Sequence, residues 1–380
     1  MDGLGQMISA SAFTDALGDR GYQFATGVPC SYFTGPIAEF TRRGRYLPAA
    51  HEGAALAIAA GACAAGTPTA VMVQNSGFGN LVNPLTSLVM PYHIPMLVFM
   101  SLRGWPDPAD DEPQHAVMGA TTHAQLDAIG IRHWTLDRAG SDLAAVLEPA
   151  LNEVDAGRPA FVLVPKGAIG RVAAQSSPTY EASSQLLTRQ QTIAEVVRHF
   201  ENDFVVATTG YCSRELFAAG DRPNNFYMQG SMGHALSFAL GISRHVNDQP
   251  VAVLDGDGAL VMHLGTMVTV GAAAPHNLVH VVLNNGVYES TGGQSTGSDQ
   301  VLFEDIARAV GYRTACTCTT SEELLKALLT ARTNPGPHLV VAQTRVDAGE
   351  APPRATNSVT APEIYERLRR ALQADITALN

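Results

Sequence analysis

The chain has 380 residues, room for about two domains. Hydrophobic residues make up 46% of it and charged residues 16%, the composition of a compact protein with sizeable cores rather than a disordered or fibrous one. The net charge is −11 and basic residues form no runs, which argues against nucleic acid or an anionic membrane surface as a partner. An anionic substrate would have to be held by local donors.

The cysteines, Cys30, Cys63, Cys212, Cys316 and Cys318, are odd in number and follow neither a disulfide-framework nor a zinc spacing. Reduced thiols in a cytoplasmic protein are the expectation. No apolar run approaches the ~18 residues of a membrane span, and no basic-then-apolar leader opens the chain.

In chain order, a short helix is predicted over Ser11 to about Gly21. A strand from Tyr22 then runs into Gly27-Val28-Pro29-Cys30-Ser31, a tight connection that brings Cys30 and Ser31 to the strand's end. Leu47 to Ala50 is a weaker extended piece leading into His51-Glu52-Gly53. The alanine-rich stretch from there to Ala65 has strong helix propensity, so Glu52 falls at a helix start, where a carboxylate also complements the N-terminus. Thr69 to Gln74 reads as a buried strand ending in Gln74-Asn75-Ser76-Gly77-Phe78-Gly79-Asn80. These small polar residues and glycines suit a ligand loop that opens a helix and offers free N–H groups to an anion. Ile94 to Ser101 is another strand, delivering Arg103, whose strand-end position makes it a candidate anion donor. A polar stretch from Asp107 to Met118 carries His115. Ala160 to Val164 is the last strand of this half, ending at Pro165-Lys166-Gly167.

From Arg171 to about Thr188 the chain is rich in Ser, Ala and Gln without periodicity, which marks a linker. It separates domains at 1–170 and 189–380. Each alternates strands with helices, so each is expected to be α/β, a mostly parallel sheet flanked by helices, with no middle domain and no sequence repeat between the halves. In the second half, Phe204 to Thr209 is a strand ending in Thr209-Gly210-Tyr211-Cys212-Ser213, hydroxyls and N–H groups that suit a diphosphate. Gln229-Gly230-Ser231-Met232-Gly233 precedes a helix predicted from His234 to about Ile242. Met232 by itself reads as core packing.

Val251 to Leu254 is a short buried strand, followed by the sharp turn Asp255-Gly256-Asp257-Gly258. A helix is predicted from Ala259 to about Ala273, stopped by Pro275. A second apolar run, Leu278 to Leu283, ends in Asn284-Asn285-Gly286. Such a strand–helix–strand crossover joins parallel strands and puts Asp257 and Asn285 at carboxyl ends, where open α/β sheets bind ligands. A carboxylate, an amide oxygen and a turn carbonyl are hard donors. They suit Mg²⁺ or Ca²⁺, and Mg²⁺ completes its shell with waters and phosphate oxygens. The expected ligand is a diphosphate held through a metal. The turn that follows, with Thr291, Gly292, Gly293 and Gln294, is a cradle of N–H donors for an anionic group. The remainder contributes a helix, a strand from Leu339 to Gln343 and a terminal helix from Pro362, none of them catalytic.

Gly256-Asp257-Gly258 followed at this distance by Asn284-Asn285 resembles the cofactor motif of thiamine-diphosphate-dependent enzymes. The resemblance implies that Asp257, Asn285 and the main-chain carbonyl of Val287 bind Mg²⁺. Thr209, Gly210, Gly256, Gly258, Ala259 and Asn285 are then placed around the cofactor. Glu52 is implied to contact N1′ of the aminopyrimidine and so to activate the cofactor, which serves as electron sink. The Gly230 carbonyl is implied to receive the 4′-amino group, and Met232 to be the apolar wedge between the two rings. His115 resembles a histidine of the 2-oxo-acid decarboxylases, where a His-His pair precedes a similar apolar-Gly pair. Gln114 stands in place of the first, so proton transfer is left to His115.

The compact size, Gly27 to Ser31, Asp111 to His115 and Asn285 to Gln294 together resemble the phosphonopyruvate decarboxylases, close relatives of the sulfopyruvate decarboxylases. This implies conversion of 3-phosphonopyruvate to phosphonoacetaldehyde and CO₂ in phosphonate biosynthesis. Sulfopyruvate decarboxylation, or carboligation on the same cofactor, is the alternative. The dianionic head of the substrate would be held by Ser31, Asn75, Ser76, Arg103 and Thr291 to Gln294, with Lys166 a further candidate. In the family the glutamate and the metal site of one cofactor come from different chains, which implies a homodimer or larger.

Overall fold

A computed structural model describes residues 7–137, 143–170, 186–246, 248–346 and 352–377. The chain divides into two compact units, Met1–Ser177 with Thr291–Gln294, and Pro178–Ser290 with Ser295–Asn380. Of the predicted linker, 171–185 lies outside the described residues. Thr188 caps the helix Arg189–His199, forming a reciprocal capping box with Gln191.

In the first unit, β1 (Phe24–Gly27), β2 (Tyr46–Pro48), β3 (Thr69–Gln74), β4 (Leu97–Leu102), β5 (Arg132–Thr135) and β6 (Ala160–Pro165) form one sheet in the order β2-β1-β3-β4-β6-β5. Every pairing in it is parallel. The central strands are buried almost throughout, as parallel strands covered on both faces must be, and they read as unbroken apolar runs. Alternate residues of β6 feed opposite cores. Val162 and Val164 join Phe13, Phe33 and Phe99 on one face, and Phe161 and Leu163 join Leu56, Phe78 and Val98 on the other.

The later strands are β7 (Phe204–Ala207), β8 (Asn225–Tyr227), β9 (Val251–Gly256), β10 (Leu278–Asn284), the short β11 (Val287–Tyr288) and β12 (Gln294–Ser295), β13 (Thr314–Cys318) and β14 (His338–Gln343). The sheet of the second unit runs β13-β14-β10-β9-β7-β8, again all parallel. Read from β8, its strands stand in the chain order second, first, third, fourth, sixth, fifth, the same topology as the first unit. In each sheet the chain turns back beside its first strand. The crevices at the carboxyl ends of β1 and β3, and of β7 and β9, are therefore the switch points where ligands bind in open α/β sheets.

Two expectations are corrected. The helix predicted from Ala259 to Ala273 is two, Asp257–Met262 and Thr266–Ala273, because His263 leaves the helical region at φ −130°, ψ 43°. The strands β5, β8 and β13 were not anticipated. They lie outermost or short, with partly exposed residues, so no long apolar run announces them. Among the described residues no helix is long and apolar enough to cross a membrane.

Candidate active site

Strand register sets the first part of the site. Gly256 pairs with Leu283 at the ends of β9 and β10, so Asp257 and Asn284-Asn285 leave neighbouring strands at one edge. Asp257 opens the helix Asp257–Met262 and is 3% exposed. Its Oδ2 accepts from Thr296 Oγ1 at 2.5 Å and from Ser298 Oγ at 2.7 Å. The Ser298 hydroxyl also lies 2.9 Å from Asn284 Oδ1. Burial pushes the Asp257 carboxyl above the usual carboxylate range, against the pull of the two hydroxyls. Asn285 donates from Nδ2 to Glu289 Oε2 at 2.9 Å and accepts at Oδ1 from the Val287 N–H at 3.1 Å. No group of three or more His, Cys, Asp or Glu able to hold a metal occurs among the described residues. At this edge the structure offers one buried carboxylate, Asp257, and one amide oxygen, Asn285 Oδ1. Such a partial shell of hard oxygens fits Mg²⁺, which completes it with waters and phosphate oxygens.

Beside it, Gly258 has no room for a side chain. A Cβ there would meet the Tyr288 ring at 2.3 Å and Thr296 Cγ2 at 2.9 Å. Across the switch point, Gly210 precedes the helix Tyr211–Ala219 at φ 83°, ψ −137°, a conformation that glycine enters readily. The Thr209 hydroxyl donates to the Gln229 carbonyl at 2.7 Å. Its proton ties two loops together, and a helix start such as the one that follows offers free N–H groups to an anion. Met232 is half-buried and follows Ser231, which stands at φ 54°.

In the first unit, Glu52 is the first residue of the helix Glu52–Ala64 and is 5% exposed. Its Oε2 accepts from Asn80 Nδ2 at 2.7 Å. Burial pushes its carboxyl up, with Asn80 pulling the other way. A Cβ on Gly77 would stand 2.0 Å from Glu52 Oε1. The loop after β3, expected to cradle an anion, therefore serves Glu52: Gly77 makes space for the carboxylate and Asn80 anchors it.

His115 closes the 3-10 turn Pro113–His115 and is 7% exposed. Its Nδ1 lies 3.0 Å from Asp111 Oδ1, and its Nε2 lies 3.4 Å from Gln74 Nε2. An ionised carboxylate only accepts and an amide nitrogen only donates, so the proton sits on Nδ1 and the lone pair on Nε2. Asp111 also takes Nε and Nη2 of Arg103 at 2.7 and 2.6 Å, and the N–H groups of Gly104 and Glu112 at 2.9 and 2.8 Å. Although burial works to raise it, the hydrogen bond from Arg103 and those from Glu112 and His115 hold the Asp111 carboxyl well below the usual range. Burial, and then the Arg103 charge, depress the His115 imidazole, with Asp111 only partly offsetting them.

Two substrate candidates have partners inside the fold. The Arg103 guanidinium is committed to Asp111 and lies over the Tyr32 ring at 5.2 Å from the centroid, so its charge is already paired. Asn75 is fully buried, donates to the Arg103 carbonyl at 3.0 Å and to Thr122 Oγ1 at 3.2 Å, and accepts from the Arg103 N–H at 3.1 Å. Both hold the loop that carries His115. Ser31 is half-buried after β1, and Ser76 is exposed, accepting from Gln74 Nε2 at 2.5 Å. Lys166 is exposed after β6 and, with Tyr32 and Gly167, lines a cavity of about 320 Å³. Thr291–Gln294 groups with the first unit, with Gly292 and Gly293 at φ 127° and 74°. Asp111, Asn80 and Glu289 are the functional neighbours that reading the sequence did not single out. The local signals among them are the four-residue spacings of Asp111 and His115 and of Asn285 and Glu289.

Residues 208–342 match the thiamine pyrophosphate enzyme C-terminal TPP binding domain, pyrophosphate and diphosphate being two names for one group. The chain is 39% identical to a phosphonopyruvate decarboxylase of Streptomyces viridochromogenes, over 96% of this chain and 94% of that one. It is 39% identical to one of Streptomyces hygroscopicus, over 88% and 87%. A sulfopyruvate decarboxylase of Methanosarcina acetivorans is 26% identical, over 81% and 84%. With that likeness running almost end to end, the chain belongs to the phosphonopyruvate decarboxylase family of thiamine-diphosphate-dependent enzymes.

Proposed function

We propose that the chain catalyses the non-oxidative decarboxylation of 3-phosphonopyruvate to phosphonoacetaldehyde and CO₂, with thiamine diphosphate and Mg²⁺. What carries this reading is a 39% identity to phosphonopyruvate decarboxylase that runs over 96% of the chain, where a sulfopyruvate decarboxylase is 26% identical over 81% of it and a sulfopyruvate decarboxylase beta subunit reaches 39% over only 33%. Sulfopyruvate decarboxylation is the competing reading.

Asp257, Asn285 and the Val287 carbonyl hold the metal. Main-chain N–H groups at Gly210, Gly256, Gly258 and Ala259 meet the diphosphate, beside Thr209. The Gly230 carbonyl and the Met232 side chain shape the seat of the pyrimidine and thiazolium rings. When bound, thiamine diphosphate supplies an electron sink for the charge left as CO₂ departs. Glu52, its carboxyl raised by burial, keeps a proton closer to neutrality than an ordinary glutamate and suits a hydrogen bond to a ring nitrogen. The net reaction takes up one proton at the carbon that loses CO₂. His115 relays that proton at Nε2 while Asp111 anchors its Nδ1–H. Lys166, Ser31, Ser76 and the turn from Thr291 to Gln294 are the donors for the phosphonate. The pyrimidine side of the site belongs to 1–170 and the diphosphate side to 189–380. The protein is a cytoplasmic homodimer or larger, with Glu52 of one chain serving the metal site of its partner.

The test is CO₂ and aldehyde release with thiamine diphosphate and Mg²⁺, offering phosphonopyruvate, sulfopyruvate and pyruvate in parallel. Clear preference for phosphonopyruvate is expected. Preference for sulfopyruvate would keep the mechanism and change the substrate. No turnover of any of the three would overturn the decarboxylase reading.

A further inference from the structure

An asparagine that binds a cation must present its oxygen, yet its side chain ends in an oxygen and a nitrogen of nearly equal shape. Here Glu289 makes the choice. Asn285 Nδ2 donates to Glu289 Oε2 at 2.9 Å. A carboxylate only accepts, so this bond decides which end is nitrogen. Oδ1 then lies on the other side, where one lone pair takes the Val287 N–H at 3.1 Å and the second is left for a ligand.

Glu289 is itself held. Arg189 Nη1 reaches the same Oε2 at 2.5 Å, while Nε and Nη2 of Arg189 grip the two oxygens of Glu215 at 2.8 and 2.6 Å. The guanidinium lies over the Tyr211 ring at 5.0 Å from the centroid. The Arg189 side chain is 8% exposed and that of Glu289 13%. These groups come from three separate places: the start of the helix Arg189–His199, the helix Tyr211–Ala219 and the turn after β11. Desolvated ion pairs of this kind seldom add stability beyond what apolar packing would give, so stability alone is a poor reason for the arrangement. It has a functional consequence. Arg189, shared between Glu215 and Glu289, fixes the Glu289 carboxylate where it accepts from the Asn285 amide.

We infer that Glu289, fixed by Arg189, is a positioning residue for the metal: it orients Asn285 so that Oδ1 faces the Mg²⁺. This rests on the assignment of Asp257, Asn285 and Val287 as metal donors. Partners one step removed from a metal set ligand orientation, and removing them typically costs about 10–100-fold in metal affinity or activity.

The experiment uses the full chain, stripped of metal and saturated with thiamine diphosphate. Mn²⁺ binding is followed by the electron paramagnetic resonance of the free ion, and turnover is followed against Mg²⁺. Glu289→Gln is nearly isosteric but lets the facing amides pair either way round. It is expected to weaken Mn²⁺ binding by about 10–100-fold, with turnover restored at saturating Mg²⁺. Arg189→Lys, which keeps the charge and loses the fork, is expected to weaken binding less, and it stands in if Glu289→Gln does not fold. Mn²⁺ affinity unchanged in both variants would overturn the inference, and so would a loss of turnover that excess cation does not restore. Asp257→Ala separates the two claims. If that variant binds Mn²⁺ as the unaltered protein does, the assignment of the donor set fails, and the inference fails with it.

Discussion

Around His115 the charges form a chain whose sign can be followed. Arg103 keeps Asp111 ionised, Asp111 keeps the proton of His115 on Nδ1, and Arg103 together with burial keeps the ring neutral. A histidine depressed below its ordinary value in the fold favours the fold above that value, and the contribution is lost as pH falls through the depressed value. A depressed carboxyl such as Asp111 has the same sign, present above the ordinary carboxylate range and lost below it. Acid therefore weakens this cluster twice, first by charging His115 and then by protonating Asp111. Glu52 has the opposite sign, because burial raises it: its ionised form weighs against the fold near neutrality and acid relieves that cost. Replacing Arg103 by glutamine removes the cation and leaves Asp111 beside the ring, so His115 is expected to titrate higher. The acidic limb of kcat/KM against pH, which reports the free enzyme, should move up accordingly, and imidazole NMR of both proteins would check it directly. A limb that stays in place would mean that His115 carries no essential proton. At this scale the sequence singles out Glu52, Asp257 and His115 as candidates, because each stands in a local motif. The roles of Arg103 and Asn75 were not legible there, because what they do depends on partners several residues or a whole strand away.

The loop after β3 shows how one element serves a residue on another. Gly77 lies in a turn at φ −88°, ψ 2°, a backbone that alanine adopts without strain, yet its Cβ position is filled by the Glu52 carboxylate. Gly77→Ala is expected to leave the fold intact by circular dichroism and to displace Glu52. A displacement of about 1 Å in a positioned catalytic group costs roughly 100-fold in rate, so kcat should fall by that order. A variant of full activity would show that Glu52 need not stand where it does. Gly27 makes the contrast: a Cβ there would meet the Met72 carbonyl at 1.9 Å between β1 and β3, backbone against backbone, and neither side can give way as a side chain does. The elements legible in the sequence were the buried ones, among them β3 and β9, whose apolar runs are continuous. The outer strands β5 and β13, and the helix Leu143–Asp155 with Pro149 inside it, carry weaker patterns and emerged only from their packing.

For the molecule as a whole, the proposed sharing of each site between two chains predicts complementation. Glu52→Ala and Asp257→Ala are each expected to be inactive alone. After subunit exchange the mixture should recover about a quarter of normal activity, since half of randomly paired dimers are mixed and each holds one intact pair. Activity assays with exchange shown by labelled subunits would test this, and no recovery despite exchange would count against shared sites. The sequence by itself determined the two α/β sheets and the cofactor, because hydrophobic periodicity and turn motifs are local properties of a chain. Only the tertiary structure decided that both sheets share one strand order without a sequence repeat, since strand order is set by pairing between distant segments. It also decided which polar groups are spent inside the fold. Arg103 is paired by Asp111, Asn75 by the Arg103 main chain and Glu289 by Arg189, and a charge or an amide becomes available to a ligand only once such partners, brought together by folding, have been counted.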